Sequence, residues 1–147
     1  MNFIITRIIG NELPPRDATG TKLMVLDLIL QNEKANCKKL WVLNQIHDKQ
    51  FRLNVISLLK KHQQEYKELQ FDRFNYLQQR TRLARIRAAV NINRARNYCI
   101  DLGKSYDFNF VLDGDCYFAD DMWKTTIEEL HEDQKENLGR KYYGVPI

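Results

Sequence analysis

The chain has 147 residues, of which 44% are hydrophobic and 29% are charged, and its formal net charge is +4. This composition excludes a disordered or fibrous chain and predicts one globular domain over residues 1–147. No apolar stretch approaches the roughly 18 residues needed to cross a bilayer, and no basic leader precedes the first strand pattern. We therefore expect a cytoplasmic chain without a transmembrane segment. The three cysteines lack metal-binding or redox spacing, which favours reduced thiols.

The first half of the chain alternates between strand and helix patterns. Residues Phe3 to Ile9 are β-branched and apolar, which predicts a strand, and the Gly-Asn and Pro-Pro pairs that follow predict a loop. A helix is predicted from Thr21, then a strand over Leu40–Leu43, then a second helix over Phe51–His62. Looser alternation from Tyr66 to Phe74 predicts a third strand at the edge of the sheet.

The second half begins with a long helical pattern. Apolar residues recur at helical spacing from Leu83 to Leu102, and Gly103 predicts the end of that helix. The apolar run Phe108–Leu112 predicts a buried strand, and Asp120-Asp121 predict the capped start of another helix. The buried side of that helix is expected to hold Trp123, Ile127 and Leu130. A last strand is predicted over Tyr142–Ile147.

Alternating strands and helices predict an α/β fold, a three-layer sandwich with a mostly parallel, Rossmann-like sheet. In such a sheet, ligands bind beyond the carboxyl ends of the strands, where loops and helix N-termini meet. Polar groups are expected at that edge after the first, second and fourth strands: Thr6, Arg7 and Asn11; Asn44 and Asp48; and Asp113 and Asp115. Their convergence predicts one binding site.

The triplet Asp113-Gly114-Asp115 is the most informative motif in the chain. Two carboxylates at the end of a buried strand can hold a divalent cation, and the cation can hold phosphate oxygens. This is the chemistry of a site for a nucleoside diphosphate. An ordinary Asp-Gly turn would place the same residues after a strand, so the triplet alone leaves both interpretations open.

A second motif supports the first interpretation. Ala95-Arg96-Asn97 in the long helix, followed by the apolar strand and the Asp-Gly-Asp triplet, resembles the motifs of glycosyltransferases of GT-A fold that use nucleotide sugars, especially the family-2 type. The resemblance covers nearly the whole chain in layout and its second half in motif detail. It implies transfer of a sugar from a nucleotide-diphosphate sugar to an acceptor hydroxyl, with a glycan as one candidate acceptor.

The resemblance also implies roles for individual residues. Asp115 would bind Mn²⁺ or Mg²⁺ that bridges the two phosphates of the donor. Asp113 would share this metal and lie against the ribose or the donor sugar. Arg96 and Asn97 would face the donor cleft, and the loops after the first and second strands would border the base.

The chain departs from the family pattern in two places. Asn44 stands where the family commonly has an acidic residue for the base or ribose, and Asp48 is the nearest carboxylate. The family's acceptor half and catalytic base lie downstream of the metal motif, whereas only residues 116–147 follow Asp115. We therefore expect a chain truncated at its C-terminal end. A non-catalytic nucleotide-sugar-binding or interaction domain is the alternative function. The sequence identifies no general base, because Glu128, Glu129 and His131 are expected on the exposed face of their helix.

Several arginines lie in and before the long helix: Arg80, Arg82, Arg85, Arg87 and Arg94. Such a run can bind phosphates or nucleic acid. No aromatic residues for base stacking are interleaved with it, so we predict a solvated basic face and expect no nucleic-acid partner.

Overall fold

The computed structural model describes residues 1–13 and 15–136. It divides into two compact units, one formed by Met1–Asn32 with Cys37–Cys116 and the other by Glu33–Asn36 with the chain from Tyr117 onward. The predicted strand over Tyr142–Ile147 lies outside the described residues. The prediction of a single domain also depends on those residues and stays a prediction.

The first unit alternates strands with helices. Its strands are β1 (Phe3–Ile9), β2 (Lys38–Asn44), β3 (Glu65–Leu69) and β4 (Phe108–Asp113). Its helices are α1 (Thr21–Asn32), α2 (Lys49–Lys61), α3 (Arg73–Gln78), α4 (Arg82–Val90) and α5 (Ile92–Leu102). Within the described ranges, every helix is too short or too polar to span a bilayer.

The four strands form one all-parallel sheet in the order β3-β2-β1-β4. The chain builds this sheet outward from β1 through β2 to β3 and then returns to the other side of β1. The strand order therefore switches direction between β1 and β4, and open α/β sheets bind their ligands at such a switch. The predicted α/β fold with a parallel sheet is confirmed.

Helices cover both faces of the sheet, because apolar side chains point alternately to the two faces of β1 and β2. One face carries the larger core under α1 and α2, and its buried members include Ile9, Leu26, Trp41, Val55 and Leu59. The other face packs against α5, and its buried members are Ile8, Val42, Ala95 and Cys99. The first unit is thus a three-layer sandwich.

The predicted long helix is two helices. Asn91 ends α4 and starts α5, and its φ of 36° is left-handed. Asparagine tolerates this conformation better than other residues with a side chain, which explains why the break falls there. The apolar pattern crosses Asn91 without interruption, so the pattern alone predicted continuity.

The edges of the described sheet also differ from expectation. β3 is an edge strand as predicted, but it ends at Leu69, and the short helix α3 follows because Asp72 accepts a hydrogen bond from the backbone N–H of Asn75 at 2.9 Å. At the opposite edge, the strand over Phe108–Leu112 was predicted to be buried, but β4 has half-buried residues and is an edge strand of the described sheet.

The second unit contains helix α6 (Asp120–Lys135). Asp120 and Asp121 lie in its first turn, where their negative charges interact favourably with the helix dipole. The N-cap residue itself is Ala119. Trp123 and Leu130 are buried, as predicted. The three acid–base candidates on this helix are exposed, also as predicted: Glu128, Glu129 and His131.

Candidate functional site

A cavity of about 920 Å³ lies at the carboxyl edge of the sheet, within the first unit. Its walls come from the loop after β1, the end of β2, the junction of α4 and α5, and the loop after β4. It therefore occupies the switch between β1 and β4. Small-molecule sites usually enclose roughly 300–1,000 Å³, so this cavity is large enough for a nucleotide carrying a sugar.

The cavity brings together most of the predicted site residues. Six of them line it: Asn11, Asn44, Asp48, Arg96, Asp113 and Asp115. Three do not: Thr6, Arg7 and Asn97. The polar residues that follow three separate strands thus meet in one space, as the parallel topology led us to expect.

Asp113 and Asp115 are exposed at the end of β4. The guanidinium of Arg96 lies beside Asp113, with Nη2 at 3.3 Å from Oδ1 and 3.4 Å from Oδ2. Both side chains of this pair are about half exposed (49% and 52%), so the ion pair stabilises the fold by about 1 kcal/mol or less and can open for a ligand. Asn97, the next residue of α5, is exposed and does not line the cavity.

Glu12 occupies the N-terminus of α1. Its Oε1 accepts hydrogen bonds from the backbone N–H groups of Gly20 at 2.9 Å and Lys22 at 3.4 Å. The Lys22 ammonium donates to the carbonyl of Asn11 at 2.7 Å. Helix N-termini commonly bind phosphate, but here a side chain of the same loop already fills that position. A phosphate therefore cannot bind this helix N-terminus while Glu12 holds it.

Two further carboxylates of the cavity also hold the backbone. Asp17 accepts from the N–H of Leu13 at 2.9 Å, and its hydrogen bond with Arg16, followed by this backbone bond, lowers the pKa of Asp17 to about 2. Asp48 caps α2 by accepting from the N–H of Phe51 at 2.6 Å. Among the described carboxylates that line the cavity, Asp115 alone is held by neither a basic side chain nor a backbone amide.

Asp115 has one weak hydrogen-bond partner, the thiol of Cys116, whose sulfur lies 3.7 Å from Oδ1, and its charge acts weakly on Arg16. Burial, and then the charges of Asp115 and Asp113, raise the pKa of this thiol. The raised pKa keeps the Cys116 thiol protonated near neutral pH. Its side chain is exposed.

The two carboxylates at the end of β4 suit a particular kind of metal site. In residues 1–13 and 15–136, no three His, Cys, Asp or Glu side chains form a metal-binding group. Mg²⁺, however, is usually held by one or two carboxylates, with phosphates and waters completing its shell. Asp113 and Asp115 therefore fit a cation that is shared with a diphosphate, and they do not fit a metal centre built from protein alone.

Asn44 closes the cavity at the end of β2 and is 3% exposed. Its Nδ2 donates to the carbonyl of Val90 at 2.7 Å, which fixes the orientation of the amide. Its Oδ1 is buried and has no hydrogen-bond partner among the residues that the structure describes. Such an acceptor costs about 1–3 kcal/mol. Native proteins seldom keep one without a reason, and a ligand that donates a hydrogen bond is one such reason.

Gln45 positions one wall of the cavity, and no motif in the sequence marked it. It is 1% exposed and has a left-handed φ of 51°. Its Nε2 donates to the carbonyls of Ala88 at 3.4 Å and Ala89 at 3.3 Å, so it ties α4 to the end of β2. Asn11 secures the same turn by donating to the Gln45 carbonyl at 2.8 Å. A single glutamine after an apolar strand belongs to no pattern that predicts this role.

Thr6 and Arg7 lie inside β1 and not in the loop after it, so their assignment to the strand end is corrected. Both are buried, at 0% and 1% exposure, on opposite faces of the sheet. Thr6 Oγ1 donates to Asn109 Oδ1 at 3.0 Å. Arg7 lies 5.2 Å from the ring centroid of Trp41, and its Nε donates to the Cys116 carbonyl at 2.9 Å. These side chains hold β4 and its following loop to β1.

Gly114 allows the loop after β4 to lie against β1. A Cβ at this position would be 2.6 Å from the carbonyl oxygen of Ile8 and 3.3 Å from Cγ1 of Ile9. We expect Gly114→Ala to lower the free energy of unfolding by about 1–3 kcal/mol, because the backbone of β1 must move. Urea denaturation would measure this effect.

Gly10→Ala is the matched control, because a Cβ there meets nothing within 4 Å. It should change stability by no more than about 0.5 kcal/mol. Equal effects of the two substitutions would mean that Gly114 serves an ordinary turn and not a close approach of two backbones.

The chain matches no protein-family model, no curated protein and no solved structure. Its likeness to glycosyltransferases that use nucleotide sugars thus consists of the Ala-Arg-Asn and Asp-Gly-Asp motifs. In the structure, Arg96 of the first motif and Asp113 of the second form an ion pair at the edge of the cavity. The chemistry of this cavity is therefore the basis for a functional proposal.

Proposed function

We propose that the cavity binds a nucleotide-diphosphate sugar together with a divalent cation, and that the protein is a glycosyltransferase. One observation carries this proposal. The Asp115 carboxylate lies beside Asp113, at the switch between β1 and β4, in a cavity of about 920 Å³, and among the described residues it forms no ion pair and no hydrogen bond with a backbone amide. Every other described carboxylate in that cavity is already bound to a backbone amide or a guanidinium. Two carboxylates at this place would otherwise repel each other without benefit.

Asp113 and Asp115 are the residues that would hold Mn²⁺ or Mg²⁺, and the cation would neutralise the charge that develops on a departing diphosphate. Arg96 would contribute to the same neutralisation, because its half-exposed pair with Asp113 is weak and its guanidinium can bind phosphate oxygens in a fork. Glu12 already fills the N-terminus of α1, which supports a diphosphate on the β4 side of the cavity.

The opposite end of the cavity suits a base. Val25 and Val90 give apolar walls, and Asn44 supplies a hydrogen-bond acceptor. An N–H group of the base would offset the cost of the buried Asn44 Oδ1. An asparagine also differs from a carboxylate in carrying no charge, so we infer no preference for uracil over guanine.

The cysteines support a reducing compartment such as the cytoplasm, which we include in the proposal. None of the three cysteines, Cys37, Cys99 and Cys116, forms a disulfide in the described part of the chain. Disulfides are common in oxidising compartments and rare in the cytosol.

Turnover of the donor tests the enzymatic proposal. UDP- and GDP-sugars are incubated with the protein, Mn²⁺ and a mixture of glycan acceptors, and release of the nucleoside diphosphate is measured. We expect release that requires Mn²⁺ and is lost in Asp115→Asn but kept in Asp121→Asn, which removes an exposed carboxylate from α6 in the second unit. Release that is indifferent to both the metal and Asp115 would contradict the proposal.

A nucleotide-sugar-binding domain without transfer activity is the second candidate. Glu12, Asp17 and Asp48 are all engaged in loop or helix contacts, which leaves few groups in the described cavity to take a proton from an acceptor. His47 lines the cavity, but its ring packs edge-on against Phe71, with 4.4 Å between the ring centroids. Metal-dependent binding without release of the diphosphate would favour this candidate.

A further inference from the structure

Helices α3 and α4 carry large apolar side chains on the outside of the first unit. Phe74 is 75% exposed, Leu77 59%, Leu83 56% and Ile86 50%. The first two residues are three positions apart on α3 and the last two are three positions apart on α4, so each pair shares one face of its helix. We refer to these four side chains, together with Arg73, Arg80, Arg82, Arg85 and Arg87, as the α3–α4 surface. Single exposed apolar residues are common, but a group of them marks an interaction site.

The orientation of α4 is the reverse of that expected for a helix on a water-facing surface. Such a helix normally buries its large apolar side chains and exposes polar ones. In α4 the small side chain of Ala88 is buried, whereas Ile86, about 200° away around the helix, is exposed. Leu83 extends the exposed apolar face by one turn. The apolar residues of α4 therefore contribute little to the core and are available to a partner.

Positive charge is concentrated on the same two helices and the short connection between them. Residues 73–90 contain no acidic residue and five arginines: Arg73, Arg80, Arg82, Arg85 and Arg87. The whole chain carries +4, so subtracting this +5 leaves −1 for all the other residues together. In the part of the chain that the structure describes, none of these five guanidinium groups forms an ion pair. The predicted solvated basic face is therefore interleaved with exposed apolar side chains.

We propose that the α3–α4 surface docks on an anionic phospholipid bilayer. Apolar side chains flanked by arginines are the arrangement by which a helix lies in the membrane interface, with the apolar groups at the acyl boundary and the guanidinium groups among the phosphates. Three of the four exposed apolar side chains, Leu77, Leu83 and Ile86, are aliphatic and cannot stack on bases, and Phe74 alone could, which favours lipid over nucleic acid. Helix α4 also supplies Ala89 and Val90 to the cavity wall, so docking brings the cavity near the lipid surface.

Vesicle co-sedimentation with the 147-residue chain tests this proposal. We expect binding to vesicles of phosphatidylcholine with phosphatidylglycerol, weaker binding at high salt, and little binding to phosphatidylcholine alone. The double variant Leu83→Ser/Ile86→Ser should bind at least about tenfold more weakly, because two buried aliphatic side chains are lost. Arg82→Gln and Arg85→Gln should each weaken binding about fivefold.

The matched control is Met24→Ser/Leu28→Ser, which removes two comparably exposed apolar residues (59% and 52%) from α1. It should leave vesicle binding unchanged. Absence of binding to the anionic vesicles, or equal loss in this control, would overturn the proposal. So would nucleic-acid binding that depends on the arginines but not on Leu83 and Ile86, or a dimer in solution that the serine variants dissociate. Circular dichroism checks that each variant is folded, and the arginine variants test the proposal separately if the serine variant is not.

Discussion

Replacing Arg7 with alanine is expected to lower the free energy of unfolding by about 3 kcal/mol or more, although Arg7 is a charged residue that the sequence placed in a binding site. The side chain is 1% exposed and lies against the ring of Trp41. Its removal leaves a cavity beneath the sheet, and large-to-alanine changes in a core typically cost about 2–5 kcal/mol. It also leaves the Cys116 carbonyl without the 2.9 Å hydrogen bond from Nε.

Two further arginine variants separate packing from charge. Arg7→Met keeps most of the volume but not the hydrogen bond, so it should cost about 1.5–3 kcal/mol, the usual contribution of a hydrogen bond to a charged group. Arg96→Ala removes a guanidinium that is 49% exposed and should cost less than about 1 kcal/mol. Urea denaturation of the three variants measures these differences. If Arg7→Ala proves as stable as the parent protein, Arg7 does not hold β1 to the loop after β4.

Asp115→Asn is expected to reduce the affinity for a nucleoside diphosphate with Mn²⁺ by at least about 100-fold. Loss of a residue that only supports a metal ligand commonly costs 10–100-fold, so loss of a ligand should cost no less. The fold should be nearly unaffected, with a change within about 0.5 kcal/mol, because Asp115 is exposed and makes only a weak contact with Cys116. We expect Mn²⁺ and nucleotide together to raise the Tm of the parent protein, and this increase should disappear in Asp115→Asn.

Asp121→Asn is the control for this prediction, because Asp121 is also exposed but lies in the first turn of α6. It should keep the ligand-dependent increase in Tm. If Asp115 is instead a structural residue, Asp115→Asn will melt well below the parent protein in EDTA, before any ligand is added.

Local patterns were sufficient to predict the strands that build the site. The runs of apolar residues in β1, β2 and β4 marked these strands, although β4 is only half-buried at the edge of the described sheet. The parallel arrangement followed from the alternation with helices, and it brings Asn44 and Asp113 to one edge although they are far apart in sequence. The border position of Arg96 on α5 was likewise predictable, because Ala95 and Cys99 define the buried side of that helix.

Features that depend on the backbone conformation or the long-range contacts of a single residue were not predictable. Asn91 breaks the long helical pattern through its own left-handed backbone, and no change in hydrophobic spacing announces it. Gln45 holds α4 through carbonyls more than forty positions away in the chain. Arg7 was expected at a ligand because it is charged, yet its partner Trp41 becomes its neighbour only when β1 pairs with β2. These contacts exist only in the folded sheet.

Calorimetric titration of the parent protein with a nucleoside diphosphate is the most direct measurement of the proposed metal site. UDP, GDP and their sugar conjugates are titrated first with Mn²⁺ present and then with EDTA. Because Asp113 and Asp115 are exposed acids that would repel a diphosphate without a cation, we expect heat of binding for at least one ligand in Mn²⁺ and none in EDTA. Equal binding in both solutions, or no binding in either, would contradict a cation-bridged diphosphate at the end of β4.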